Sequence, residues 1–261
     1  ETQAITEFYG GFGSGKSQVT HQMSVNCQLP VEAGGAEGSC IFIDSEDSFR
    51  PKRIFQMVQG LDEEVLQIVL DDRDFDYTVE EVKTSEISTT ANPSTPAEVV
   101  GASFTDNIYN STVFNSNHQM LTVKDDVPEL AVELEEDPDK LPLKLLVIDS
   151  LTAHFRSEYV GRGQLADRQQ KLNTHLQDVT KTINTHNAAA IFANQVQSNP
   201  GTSFGDPTDP IGGNILGHKS TFRIYLRQSS DNKRIWRLTD APNLEDAEGV
   251  VRITNEGVKP E

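Results

Sequence analysis

The octapeptide Gly10-Gly11-Phe12-Gly13-Ser14-Gly15-Lys16-Ser17 constrains this 261-residue chain more than any other stretch. It fits G-x-x-x-x-G-K-[ST] at every fixed position. An apolar run, Ile5 to Tyr9, predicts a strand before it, and Lys16 to Leu29 predicts a helix after it, stopped by Pro30 and Gly34-Gly35. Glycines let such a loop curl until its backbone N–H groups point inward at a phosphate. The helix start adds partial positive charge, the lysine reaches the terminal phosphates, and the serine hydroxyl is placed for Mg²⁺. Gly10 to Ser17, with Gln18 behind them, are therefore candidate nucleotide-binding residues.

Magnesium beside such a loop needs a second acid. Leu145-Leu146-Val147-Ile148-Asp149-Ser150 supplies one, because an apolar strand carries Asp149 out at its C-terminal end. Hydrolysis further needs a group that positions or deprotonates water. Glu46 and Asp44 both follow the apolar run Cys40 to Ile43, and spacing alone favours Glu46 without excluding Asp44. Gln195, at the end of the run Ala188 to Asn194, is placed to sense a terminal phosphate or to serve as an ordinary loop amide.

Strand and helix patterns alternate along the chain, which predicts an α/β fold with a central, mostly parallel twisted sheet flanked by helices. Pro51 opens a helix. Residues 71–107, rich in Asp, Glu, Ser, Thr and Pro, read as an acidic and partly irregular insertion. A helix is expected from about Asn117 to Glu136, and a strand from Leu143 to Asp149. A long polar helix is expected from Gln164 to His186, with Leu165, Leu172, Leu176, Val179 and Ile183 facing the core. Residues 196–218 read as a long Gly/Pro/Asn/Ser-rich loop. Strands follow at Thr221–Arg227, Arg234–Leu238 and Gly249–Thr254, with no internal repeat, so one domain is expected over 1–261.

The formal charge is −18, which on bulk grounds argues against nucleic acid. Its distribution changes that inference. Residues 1–140 hold 8 Lys/Arg against 27 Asp/Glu, whereas 144–237 hold 12 against 7. The acidic half reads as a solvated surface suited to cytoplasm at very high salt. Cys27 and Cys40 are too few for a disulfide scaffold and fit a reducing cytoplasm, both as packing residues. No apolar run nears the ~18 residues a membrane span needs. The chain opens on Glu1 with no signal-peptide pattern, and is expected to be a piece of something longer. Its six histidines show no metal-binding spacing and read mostly as surface or helix residues, and Trp236 reads as core.

The ordered set of the Gly-rich loop, IDSEDSFRPKRI, FNSNHQM, LLVIDSLTAHFRSEYVGRGQLADRQQKLN, ANQVQSNP, GGNILGH and LTDAPNL resembles the archaeal RadA recombinases. These are relatives of bacterial RecA and the eukaryotic strand-exchange recombinases. The resemblance spans nearly all of the chain outside about 62–107. It implies a RecA-like P-loop ATPase core that takes ATP and Mg²⁺, with K⁺ as a further candidate cation. It assigns catalysis to Glu46 and Lys16, with Gln195 linking the γ-phosphate to a DNA-binding loop. It matches Arg53 to the basic residue that packs on adenine. The first DNA-binding loop corresponds to about 156–168, with Arg156, Arg162 and Arg168, and the second to about 196–218. Asp240-Ala241-Pro242-Asn243-Leu244 resembles a segment capping ATP on a neighbouring protomer.

Three departures accompany the likeness. Gly11 stands where the family usually has Glu, and Glu245 where it usually has Pro. The family's N-terminal helical DNA-binding domain and polymerisation linker have no counterpart in this sequence, so ATP binding with poor filament assembly is expected. The implied partners are single- and double-stranded DNA and further copies of the chain, in a filament or ring. Arginines on loops suit the DNA role, since each grips phosphate with several hydrogen bonds and stacks on bases. Gly161 and Gly163 allow close approach beside Arg162, and Phe204 is placed to wedge between bases or to pack. The competing explanation of these arginines is an ion-pair network with Glu158 and Asp167. The competing functions are a recombinase paralogue acting as a regulatory module and a hexameric helicase of the same fold.

Overall fold

The structure, a computed structural model, describes residues 1–198 and 208–261, with the side chains of Arg162 and Ser198 also left aside. Phe204 thus lies outside the described residues.

The chain runs β1 (Ile5–Gly10), α1 (Lys16–Asn26), β2 (Ser39–Asp44), α2 (Pro51–Gln59), α3 (Glu63–Asp72), α4 (Val79–Thr84), α5 (Pro96–Thr105) and β3 (Ile108–Thr112). Then follow α6 (Ser116–Leu121), continued through a wide turn into α7 (Val127–Glu136), β4 (Leu143–Asp149), α8 (Ala153–Glu158), α9 (Leu165–Thr185) and β5 (Ala189–Asn194). The remainder is β6 (Val196–Ser198), β7 (Thr208–Pro210), α10 (Gly213–Lys219), β8 (Phe222–Gln228), β9 (Lys233–Asp240), β10 (Ala247–Thr254) and β11 (Gly257–Pro260).

Nine strands form one sheet in the order β11-β10-β9-β8-β1-β5-β4-β2-β3. All neighbours from β8 to β3 are parallel, and β8 to β11 form an antiparallel meander. Helices cover both faces of the parallel part, so its strands read as continuous apolar runs rather than alternating ones. On β4, Leu145 and Val147 enter one core with Phe42, Ile54 and Phe104, while Leu146 and Ile148 enter the other with Phe192, Leu172 and Leu176. This is the expected mostly parallel α/β sheet. No helix among the described residues is long and apolar enough to cross a membrane.

Segment 71–107 holds two helices, and the second buries Ala97, Val100, Gly101 and Phe104 along one face, a periodicity the sequence reading missed. Capping boxes at Thr78/Glu81 and Thr95/Glu98 start α4 and α5. Val82, Val100 and Phe104 lie fully buried in the same core as α2, each side chain contributing about 1.5–3 kcal/mol. The irregular stretch between the helices wraps the buried Glu98 carboxylate. The backbone N–H groups of Ser88, Thr89, Ser94 and Thr95 donate to it at 2.8–3.2 Å. Those bonds, led by Thr89, hold its carboxyl well below the usual range.

Several expectations need correction. Within 196–218, β6 pairs antiparallel with β7, and α10 takes up 213–219, so the described ends of that stretch are not loop. Strands β3 and β11 and helix α3 carried no sequence signal strong enough to be read. Leu165 is 45% exposed, because it lies in the first turn of α9, ahead of the part that packs on the sheet. His21 and His175 lie in helices, as expected, but both are buried, and so is His186 just past α9. His175 accepts from Gln119 Nε2 at 3.1 Å, and burial lowers its pKa to about 4, so it stays neutral. Cys27 and Cys40 are both buried and free, and Trp236 is half-buried against the first core.

Candidate nucleotide-binding and catalytic site

The sheet's carboxyl edge assembles the site. Register pairs Tyr9 with Asn194, and pairs Ala193 with Asp149 and Asp149 with Asp44. The residues just past those positions, Gly10 to Ser17, Gln195 and Glu46, therefore emerge on one side of the sheet. A cavity of about 800 Å³ lies there, lined by Lys16, Ser17, Gln18, Glu46, Arg53, Asp149 and Gln195 among others.

The loop turns on glycine where glycine is required. Gly15, the residue before α1, has φ +102°, and a Cβ there would stand 2.9 Å from Ile253 Cδ1. At Gly11 a Cβ would meet nothing within 4 Å, so the departure at that position leaves packing untouched. Gln18 and Val19 N–H both donate to Gly15 O, at 3.0 and 3.1 Å, while the N–H groups of Lys16 and Ser17 precede any helical acceptor, at the positive end of the helix. Lys16 Nζ donates to the carbonyls of Gly10 and Gly11, both at 2.9 Å, which fixes the ammonium across the loop. Burial lowers the Lys16 pKa, and Asp149 and Glu46 oppose that shift.

Asp149 is buried, with the hydroxyls of Thr20 and Ser48 at 3.1 and 3.4 Å from Oδ2. Burial pushes its pKa up to about 6; the Ser17 and Thr20 hydroxyls pull it down, and Glu46 and Asp44 push it further up. The Asp149 carboxylate beside the Ser17 and Thr20 hydroxyls offers hard oxygen donors, although no group of three or more acids, histidines or cysteines among the described residues makes a metal site by itself. That composition fits Mg²⁺, which takes one or two carboxylates and completes its shell with phosphate and water.

Geometry separates Asp44 from Glu46. Asp44 accepts from the N–H groups of Glu46, Ser48 and Phe49 at 3.2, 3.0 and 2.9 Å, so its carboxylate is spent on holding the turn. Ser45 ties the same turn to β4, its hydroxyl donating to Ser150 O at 2.8 Å. Glu46 is left exposed in the cavity, where Gln195 Nε2 donates to its Oε1 at 2.9 Å. His21 also braces this side. Its Nδ1 donates to Ser17 O at 2.6 Å, while Nε2 accepts from Arg50 N–H at 3.1 Å, which the neutral ring alone can do. Sequence reasoning had given His21 no such place.

The opposite wall was not foreseen. Arg234, Ile253, Thr254 and Asn255 line the cavity from β9 and the end of β10. Arg234 Nε donates to Gly13 O at 3.0 Å. Arg53 is clamped by Gln18, Gln56 and the carbonyls of Thr254 and Asn255 at 2.7–3.1 Å. No local motif marks these C-terminal residues; only the strand order brings them here.

The remaining sequence candidates lie apart from the cavity. Asp240 and Pro242, at and beyond the end of β9, are exposed and do not line it. Arg156 is exposed on α8 and Arg168 half-buried in α9, with a tight turn at 162–164 between the two helices. Among the described residues neither arginine forms an ion pair, and Glu158 instead accepts from the Ser116 N–H and hydroxyl.

The sequence model of the Rad51 family matches residues 1–90 and 74–261. The chain is 57% identical over 261 residues to the "DNA repair and recombination protein RadA" of Halobacterium salinarum, covering all of this chain and 72% of that protein. Its likeness to the protein of the same name from Haloquadratum walsbyi is 54% over 263 residues, covering 100% and 72%. For that of Methanocorpusculum labreanum it is 50% over 260 residues, covering 100% and 70%. With cavity, sheet edge and these likenesses together, the chain belongs to the Rad51 family.

Proposed function

We propose that this chain is an ATP-dependent DNA recombinase acting in DNA repair: it binds single-stranded DNA, pairs it with homologous duplex and promotes strand exchange, with ATP hydrolysis coupled to DNA binding. One observation carries the reading. Gln195 donates to Glu46 at the mouth of the cavity, while its own carbonyl accepts the N–H of Ile211 at 3.0 Å, where the 196–210 segment returns. The reading thus gives one residue, Gln195, both the contact to the terminal phosphate and the root of the proposed DNA segment.

In this reading Glu46 orients water for attack on the γ-phosphorus and takes its proton as the bond to the β-phosphate breaks. Lys16 neutralises charge gathering on the phosphate oxygens. Ser17 and Asp149 would hold Mg²⁺, which would supply positive charge to offset that of the phosphates. Arg53 holds the base. Loss of the γ-phosphate changes what the Gln195 amide contacts, and that change passes into the segment behind it. Arg156, Arg162 and Arg168 take DNA phosphate, and Asp240 and Pro242 reach the ATP of a neighbouring copy in a filament or ring.

The test is ATP hydrolysis with and without single-stranded DNA, from low to multimolar KCl. Stimulation by DNA together with D-loop formation is expected. Absence of stimulation at every salt concentration overturns the reading, and directional unwinding without D-loops would assign a helicase instead.

A further inference from the structure

A buried carboxylate sits where the sheet has no need of one. Glu7, fully buried in β1, accepts from Asn194 Nδ2 of β5 at 2.6 Å and from Arg223 Nε of β8 at 2.7 Å. An apolar residue at such a position would stabilise the sheet as well or better, so a buried pair of this kind points to a demand for one fixed arrangement. The Asn194 amide also donates to Ile211 O at 2.6 Å, and its Oδ1 accepts the Thr152 hydroxyl at 2.7 Å. Thr152 lies just past Asp149. Ile211 N–H in turn donates to Gln195 O. Asn194 and Gln195 therefore grip Ile211 by both its carbonyl and its N–H. That grip closes the 195–211 segment at its root.

The chain of contacts is continuous from Arg223 through Glu7 and Asn194 to both ends of that segment. None of its members lines the cavity except Gln195 itself. We propose that Glu7 and Arg223 are positioning residues: acting through Asn194, they hold the two ends of the 195–211 segment together and thereby set the Gln195 amide against Glu46. This inference rests on the ATPase reading above. It adds that the hydrolytic geometry is held from the opposite side of the sheet strand, by a charge pair remote from the nucleotide.

Two changes test it, the isosteric Glu7→Gln and the charge-removing Arg223→Gln, with Arg223→Lys as the conservative control. Both Gln variants should lower kcat for DNA-stimulated ATP hydrolysis about tenfold or more, since small misplacements of a reacting constellation are costly. KM for ATP should stay within about twofold, because Lys16, Ser17 and Arg53 are untouched. Arg223→Lys should recover most of the lost kcat. A merely structural pair would lower Tm and leave kcat intact in the folded variants, and that result overturns the proposal, as does a parallel rise in KM. Amide hydrogen exchange at Ile211 supplies a readout independent of catalysis: it should quicken about tenfold in both Gln variants as the clamp opens. Unchanged exchange overturns the proposal even if the parent chain shows no DNA-stimulated hydrolysis, an outcome that would sink the ATPase reading on its own.

Discussion

The two walls of the nucleotide cavity are built by different means. The phosphate wall is one octapeptide and the first turn of α1, a few consecutive residues that Glu46, Asp149 and Gln195 join from the ends of neighbouring strands. The far wall comes from Arg53 and from Arg234, Ile253, Thr254 and Asn255, which the antiparallel meander β8 to β11 folds back against the loop. The walls meet at Gly15, where any side chain would strike Ile253. The loop with Lys16 and Ser17 is thus a contiguous motif, while the wall facing it is a product of strand order. Substitutions on the two sides should fail in different ways.

The largest effect belongs to the phosphate wall. Lys16→Ala should lower kcat for ATP hydrolysis about 10²- to 10³-fold, the usual cost of removing one preorganised charge stabiliser. Phosphate release measures it, and a parental rate would remove Lys16 from the site.

Asp149 gives the next effect, through pH. Its pKa is raised from an ordinary 3.8 to about 6, so the folded chain holds an extra proton between those values. Without metal, this group's contribution to stability falls as pH rises through that window, by about 3 kcal/mol in all. Mg²⁺ binding needs the carboxylate and should offset the loss above about pH 6, so the rise in Tm on adding Mg²⁺ should shrink as pH falls through 6. Asp149→Asn should abolish that pH dependence. An unaltered pH profile in the Asn variant would show that the cation sits elsewhere.

The smallest effect tests the far wall. Arg234→Ala removes the bond to Gly13 O, worth about 1 kcal/mol, and should raise KM for ATP roughly fivefold with kcat unchanged. A matching fall in kcat would mean that the two walls are not separable.

Legibility in the sequence follows the same division. Leu143–Asp149 was readable to the residue because a strand buried on both faces must be continuously apolar. The phosphate loop was readable because glycine, lysine and serine at fixed spacing serve one chemistry. The choice between Asp44 and Glu46 was open to residue spacing, and resemblance favoured Glu46. The hydrogen bonds now show Asp44 occupied by three backbone N–H groups. Segment 71–107 hid its helices because its Asp, Glu, Ser, Thr and Pro content masked a short stripe, Ala97, Val100, Gly101 and Phe104, which is buried along α5. Strand β3 was missed because it lies at the sheet edge with a mixed polar pattern.

Charge shows the limit most simply. Among the described acids only Glu7, Asp44, Glu98 and Asp149 are buried, so nearly all of the −18 is solvated surface. The phosphate loop, the acid that ends β4 and the alternation of strands and helices could be read locally, because each depends on neighbours within a few residues. That Arg234 and Thr254 face the loop, that Gln195 touches Glu46 and that Glu7 finds Arg223 became visible in the folded chain. Those contacts join residues up to 221 positions apart, and what brings them together is the order of strands in the sheet, which no local pattern encodes.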